Sequence, residues 1–173
     1  MGGFGLSAGK KLDDSERSMF VYGGRLEYGF RGGWKAFADA GLLDPEDADT
    51  GMGIQLGAQY SLDRPWEPYD LAIRGSAGWS SFSDDFGLDF TWITLSLNAL
   101  ISKPMDAWTP YGVFGVRLLR EEEKLFGYTE DRWLVAPAIG IGTTYDLTRH
   151  FSLYGEVSYV GGVWVAGGLR RTF

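Results

Sequence analysis

The chain has 173 residues, a formal net charge of −7, 26 glycines and no cysteine, and 16% of it is aromatic. Disulfides and thiolate metal sites are thereby excluded, and the acidic balance supplies no basic stripe for a nucleic acid. Glycine and aromatic enrichment together favour β-structure with tight turns over a helical bundle, and no apolar run approaches the roughly 18–20 residues of a membrane helix.

Residues 2–10 set Phe4, Leu6 and Ala8 against Gly3, Gly5, Ser7 and Gly9. After a polar segment, residues 19–30 carry Phe20, Tyr22, Leu26 and Tyr28 on one face and Val21, Gly23, Arg25 and Glu27 on the other. A turn at Arg31-Gly32-Gly33 leads into residues 34–43, where Trp34, Ala36, Ala38 and Ala40 oppose Lys35, Phe37, Asp39 and Gly41. Residues 51–62 alternate most cleanly, with Met52, Ile54, Leu56, Ala58 and Tyr60 against Gly53, Gln55, Gly57, Gln59 and Ser61. The same period of two recurs over 69–80, 90–102, 110–119, 133–146 and 151–160, and a Gly161-Gly162 turn opens a last strand ending at Phe173. One apolar face on a period of two is the half-buried strand signal. Ten strands are counted, with eight as the alternative count, in one all-β domain spanning residues 1–173.

Alternation does not say which face is buried. In a soluble barrel the apolar face lines the core; in a membrane barrel it meets lipid and the polar face lines the lumen. Three features favour the membrane. The polar faces combine small residues with charges of both signs. Aromatics crowd the strand ends: Tyr28, Phe30, Trp34, Tyr60, Trp66, Tyr69, Trp108, Tyr111, Tyr145, Phe151 and Phe173 near one rim, and Trp79, Phe82, Trp92 and Trp133 near the other. Two such girdles mark the lipid–water boundaries. Finally, compact turns (31–33, 63–68, 103–109, 147–150) alternate with longer, more acidic loops (11–18, 44–50, 81–89 and, longest, 120–132), the outer-membrane pattern of short periplasmic and long external connections. The expected architecture is an antiparallel up-and-down transmembrane β-barrel. Met1-Gly2-Gly3 has no signal-peptide character, so the sequence reads as a mature form with an added start methionine, or as cytosolic.

Trp108-Thr109-Pro110-Tyr111-Gly112-Val113-Phe114-Gly115-Val116 resembles the turn-to-strand stretch of small bacterial outer-membrane β-barrels of the OmpA-like class, and 146–156 resembles their hairpin turn. Phe173 resembles the C-terminal aromatic signal that such proteins present to the barrel-assembly machinery. The resemblance implies a bacterial outer-membrane location, contact with lipid bilayer and lipopolysaccharide, and a monomer without cofactor. Arg171 departs from the pattern, because its face usually holds an apolar residue. At a rim it can snorkel; at the midplane it would cost roughly 2–4 kcal/mol.

Catalysis finds little support. His150 is the only histidine, and the expected topology puts it in a periplasmic turn, away from the outer rim where barrel lipid A deacylases and omptin-like proteases act. Asp44, Glu46, Asp47, Asp49, Asp84 and Asp85 fall in external loops, where a weak divalent-cation or lipopolysaccharide contact is conceivable, although 44–49 lacks EF-hand spacing. The strongest constellation is a set of lumen charges: Arg25, Glu27, Lys35, Asp39, Arg74, Arg117, Glu156 and Arg170. Charges in low dielectric must pair or be hydrated, so they form either a plug or the lining of a narrow conducting path. With Phe37, Tyr111, Tyr154 and Trp164 also facing inward, a largely side-chain-filled lumen is expected. The functional expectation is a non-enzymatic barrel, structural or weakly conducting, with a porin-like channel and a soluble ligand-binding barrel as alternatives. The last strand should pair with the first to close the wall.

Overall fold

The computed structural model describes residues 2–12, 19–46, 48–83, 88–125 and 128–173. Ten strands appear: β1 (Gly2–Leu12), β2 (Met19–Gly29), β3 (Trp34–Pro45), β4 (Gly51–Trp66), β5 (Tyr69–Ser83), β6 (Asp89–Ser102), β7 (Trp108–Leu125), β8 (Tyr128–Asp146), β9 (Phe151–Tyr159) and β10 (Val163–Thr172). Each pairs antiparallel with its sequence neighbours, and β1 pairs with β10 from Gly3↔Thr172 to Leu12↔Val163. The barrel is closed with ten strands, which leaves no sheet edge for the lipid to solvate.

The alternation of the sequence becomes the two faces of the wall. Leu6, Leu26, Leu56, Phe114, Val135 and Ile141 are more than 60% exposed, whereas the charged and small residues between them line the interior. Such an apolar exterior is stable only against hydrocarbon, which overturns the soluble alternative. Following one hydrogen-bonded row from Gly5 through Arg25, Asp39, Gln55, Gly78, Thr94 and Leu119 reaches β8 at Leu134. In the other direction the row passes Arg170 and Ser152 and reaches β8 at Asp146. The difference, 146 − 134, is a stagger of 12 residues, and this tilt widens the barrel beyond what ten upright strands would enclose.

The girdles form with two corrections. At the periplasmic rim Trp34 meets Tyr60 at 4.9 Å and Trp108 meets Tyr145 at 4.7 Å, both pairs tilted, and Tyr28 meets Phe30 edge-on at 4.9 Å. Arg171 lies in this rim, 5.5 Å from the Phe151 ring and 5.7 Å from the Phe173 ring, so it snorkels. Tyr111 faces the lumen, as the alternation of its strand requires, and is no part of the lipid-facing girdle. At the external rim Trp79 and Trp133 face outward with Phe20, Tyr22 and Tyr159, but Phe82 and Trp92 turn inward. Phe82 is 8% exposed and stacks on Phe90 at 5.0 Å, with Trp92 edge-on at 5.0 Å. Crowding at a strand end locates a rim; the parity of the strand decides which side of the wall the ring occupies.

The expected long loop at 120–132 is instead a ribbon. The β7–β8 ladder continues from Arg120↔Trp133 to Leu125↔Tyr128. Charge density masked it, because a ribbon solvated on both faces needs no apolar alternation. Arg120 bonds Asp131 across the ribbon at 2.9 Å, and Lys124 bonds Glu122 at 2.7 Å. The Glu122 hydrogen bond holds the Lys124 ammonium above its ordinary pKa. The adjacent stretch of the rim is low. The β9–β10 hairpin ends in a tight turn where Gly161 (φ 63°) and Gly162 (φ 149°) adopt backbone that other residues rarely do.

Candidate functional site: the lumen

All eight predicted lumen charges line one interior cavity of about 1000 Å³, bounded by residues from Ser61, Asp70 and Thr109 near the periplasmic end to Ser80 and Trp92 near the outer one. The lower half of the lumen is a charged belt. Arg25 donates Nε and Nη2 to the two carboxylate oxygens of Asp39 at 2.6 and 2.9 Å, across the β2–β3 pair that the register Arg25↔Asp39 sets. Glu27 accepts from Arg170 and lies 3.7 Å from Lys35. Arg74 directs Nε and Nη2 at the side-chain oxygen of Gln59, at 3.1 and 2.8 Å. Tyr111 donates its hydroxyl to Glu156 at 2.9 Å.

Two of these contacts skip a strand, as does the approach of Arg74 to the ring of Phe37, and glycine is the reason. Glu27 on β2 meets Arg170 on β10 over Gly3 and Gly5 of β1, where a Cβ on Gly3 would lie 3.5 Å from the Glu27 carboxylate. Tyr111 on β7 reaches Glu156 on β9 over Gly142 of β8; a Cβ there would strike the phenol ring. Phe37 on β3 covers Gly57 of β4, and both Arg25 (4.5 Å) and Arg74 (5.6 Å) stand over its ring. Inward glycines thus act as windows through which long side chains bond across the wall. Gln59 escapes the sequence reading as a site residue, and Tyr111 is read there as filling the lumen and not as the partner of Glu156. An inward glycine flanked on both sides by polar residues would have been the signal.

Arg117 stands apart. Among the described residues it has no carboxylate partner, and its Nε is buried without a hydrogen bond. It lies above the belt, in the outer half of the lumen.

The remaining predicted positions are dispersed. Asp44, Glu46 and Asp49 are exposed at the external ends of β3 and β4, while Asp47, Asp84 and Asp85 lie outside the described residues. Among the described residues no three acidic or histidine side chains gather as metal ligands. His150 is exposed in the 147–150 turn, its Nδ1 3.1 Å from the Thr172 carbonyl oxygen. Phe173 is 63% exposed, and its backbone N–H bonds the Gly2 carbonyl at 2.9 Å, at the closing seam.

A closed antiparallel wall with an apolar exterior, aromatic rims and a charged interior defines an integral outer-membrane β-barrel. The sequence matches the outer membrane protein beta-barrel domain family over residues 30–163, and the chain belongs to that family; its place is the bacterial outer membrane. No curated protein matches it in sequence. Solved structures share the fold at low identity. The outer membrane protease OmpT from Escherichia coli aligns with TM-score 0.59 at 10% identity, covering 99% of this chain and 93% of that one. Ail of Yersinia pestis, the attachment invasion locus protein, aligns with TM-score 0.53 at 15% identity over 98% and 95%. The translocator domain of the autotransporter NalP from Neisseria meningitidis gives 0.52 at 14% identity over 99% and 87%.

Proposed function

We propose that this barrel is a non-enzymatic, monomeric outer-membrane protein whose lumen is a narrow, hydrated, weakly conducting path. The observation that carries the reading is the cavity of about 1000 Å³ that runs past the charged belt. A ten-strand wall with a stagger of 12 has more room than the roughly eight-strand barrels that side chains can fill, and the glycine windows widen it further. Charges that pair with one another leave water able to pass between them. The absence of catalysis rests on the chain's one histidine, His150, which lies in a periplasmic turn with no acidic partner among the described residues. Phe173, at the seam where β10 meets β1, suits presentation to the barrel-assembly machinery. The external carboxylates Asp44, Glu46 and Asp49 suit weak contacts to lipopolysaccharide through divalent cations.

The test is conductance of the refolded full chain in planar bilayers. Small, reproducible steps are expected, far below those of a wide porin. Large stable steps would establish a porin-like channel, and a silent but heat-modifiable, correctly folded barrel would leave a purely structural role.

A further inference from the structure

The outer half of the lumen differs in kind from the belt beneath it. Of the seven buried apolar residues among those described, Met19, Leu43, Phe82, Phe90 and Ala138 belong to this half, and only Phe37 and Ala72 lie lower. Of the outer residues, Leu43 and Ala138 line the cavity together with Val21, Trp92 and Trp164, with Gly41, Gly53 and Gly78 and the hydroxyls of Ser80, Thr94 and Ser96 between them. Among the described side chains on this wall one charge projects, Arg117. The belt cations all have polar partners: Asp39 for Arg25, Glu27 for Lys35 and Arg170, Gln59 for Arg74. Arg117 has none among the described residues, and the indole N–H of Trp164, on the same cavity, is also buried without a partner.

A guanidinium stays charged at any accessible pH and is costly to hold in apolar surroundings without an acceptor. A pocket that is mostly apolar with a few convergent donors is the form of a small-molecule site. Its donors call for an anion, and its walls call for a hydrocarbon or other apolar body. The acidic external surface strengthens that second requirement: a small hydrophilic anion is repelled at the mouth and gains nothing from the walls, whereas an amphiphile gains with each methylene it buries. A single negative charge fits better than two, because among the described side chains one cation faces it and desolvating a dianion costs more.

We propose that the outer half of the lumen binds an amphiphilic monoanion, its carboxylate on Arg117 and its apolar body against Val21, Leu43, Trp92 and Trp164. This goes beyond the conduction reading, and neither its success nor its failure depends on whether the barrel conducts. The experiment uses the full chain in lipid nanodiscs, with octanoate as probe and saturation-transfer NMR as readout. Protein-free nanodiscs provide the correction for partition into lipid, which does not saturate. Octanoate is expected to bind saturably. Arg117→Gln, which removes a buried unpaired charge and so leaves the fold intact by gel mobility, should weaken it at least tenfold. Arg171→Gln, on the lipid face, should leave it unchanged. On the unaltered protein the neutral octanamide should bind at least tenfold more weakly than octanoate, so the charge requirement is measured even without a variant. No saturable octanoate binding, equal binding of octanamide, or equal binding by R117Q each overturns the proposal. Acetate binding as tightly as octanoate would also overturn it, by leaving a simple anion site with no role for the apolar walls.

Discussion

The Arg25–Asp39 pair is the contact through which the belt's contribution to stability can be measured. Two hydrogen bonds of 2.6 and 2.9 Å join the guanidinium fork to both carboxylate oxygens. In a dry interior each would contribute about 1.5–3 kcal/mol. The side chains retain 37% and 26% exposure to the lumen, and screening by lumen water reduces the pair to about 1–2 kcal/mol in total. The perturbation is a double-mutant cycle of Arg25→Ala, Asp39→Ala and the double variant, each unfolded by urea from lipid vesicles and followed by tryptophan fluorescence. Asp39→Ala is expected to be the more harmful single change, because it leaves Arg25 facing the ring of Phe37 and the neighbouring Arg74 with its carboxylate gone. The coupling energy should be about 1–2 kcal/mol. A value below about 0.3 kcal/mol, the level at which independent sites simply add, would refute the claim that this ion pair ties β2 to β3.

Gly142→Val places a branched side chain where the Tyr111 ring now lies, so the Tyr111–Glu156 bond should be lost. Overpacking of this kind should lower stability by about 1–3 kcal/mol, measured by the same urea unfolding; an unchanged midpoint would show that the window over β8 is not needed. Arg171→Ala removes a cation from between two rim aromatics and should cost about 1 kcal/mol. A gain of 2 kcal/mol or more instead would mean that Arg171 sits deep in hydrocarbon.

Strand alternation is a local property, so the sequence alone could assign Arg25, Glu27, Lys35, Asp39, Arg74, Arg117, Glu156 and Arg170 to the lumen and Leu26, Ile54, Leu56 and Ile141 to lipid. A period of two leaves only two faces, and the chemistry of the two is opposite. The membrane setting was legible for the same reason, since aromatic crowding at strand ends and the polarity of the inner face are both written along the chain. Individual strand ends were less legible. The 120–132 ribbon is hidden because water on both faces removes the alternation that reveals a strand, and crowding at a strand end gives the height of Phe82 and Trp92 without the side of the wall they occupy.

Partnership could not be read in the same way, because it depends on register, stagger and closure. Glu27 and Arg170 are separated by most of the chain and meet only because β10 closes onto β1, whose inner face there is glycine. Tyr111 finds Glu156 only because Gly142 lies between them. By the same geometry Arg117 is left without a carboxylate among the described residues, in a half of the lumen that the fold lines with Leu43, Trp92 and Trp164. The sequence determined which residues face inward; closure of the staggered barrel decided which of them neutralise one another and which cation remains for a ligand.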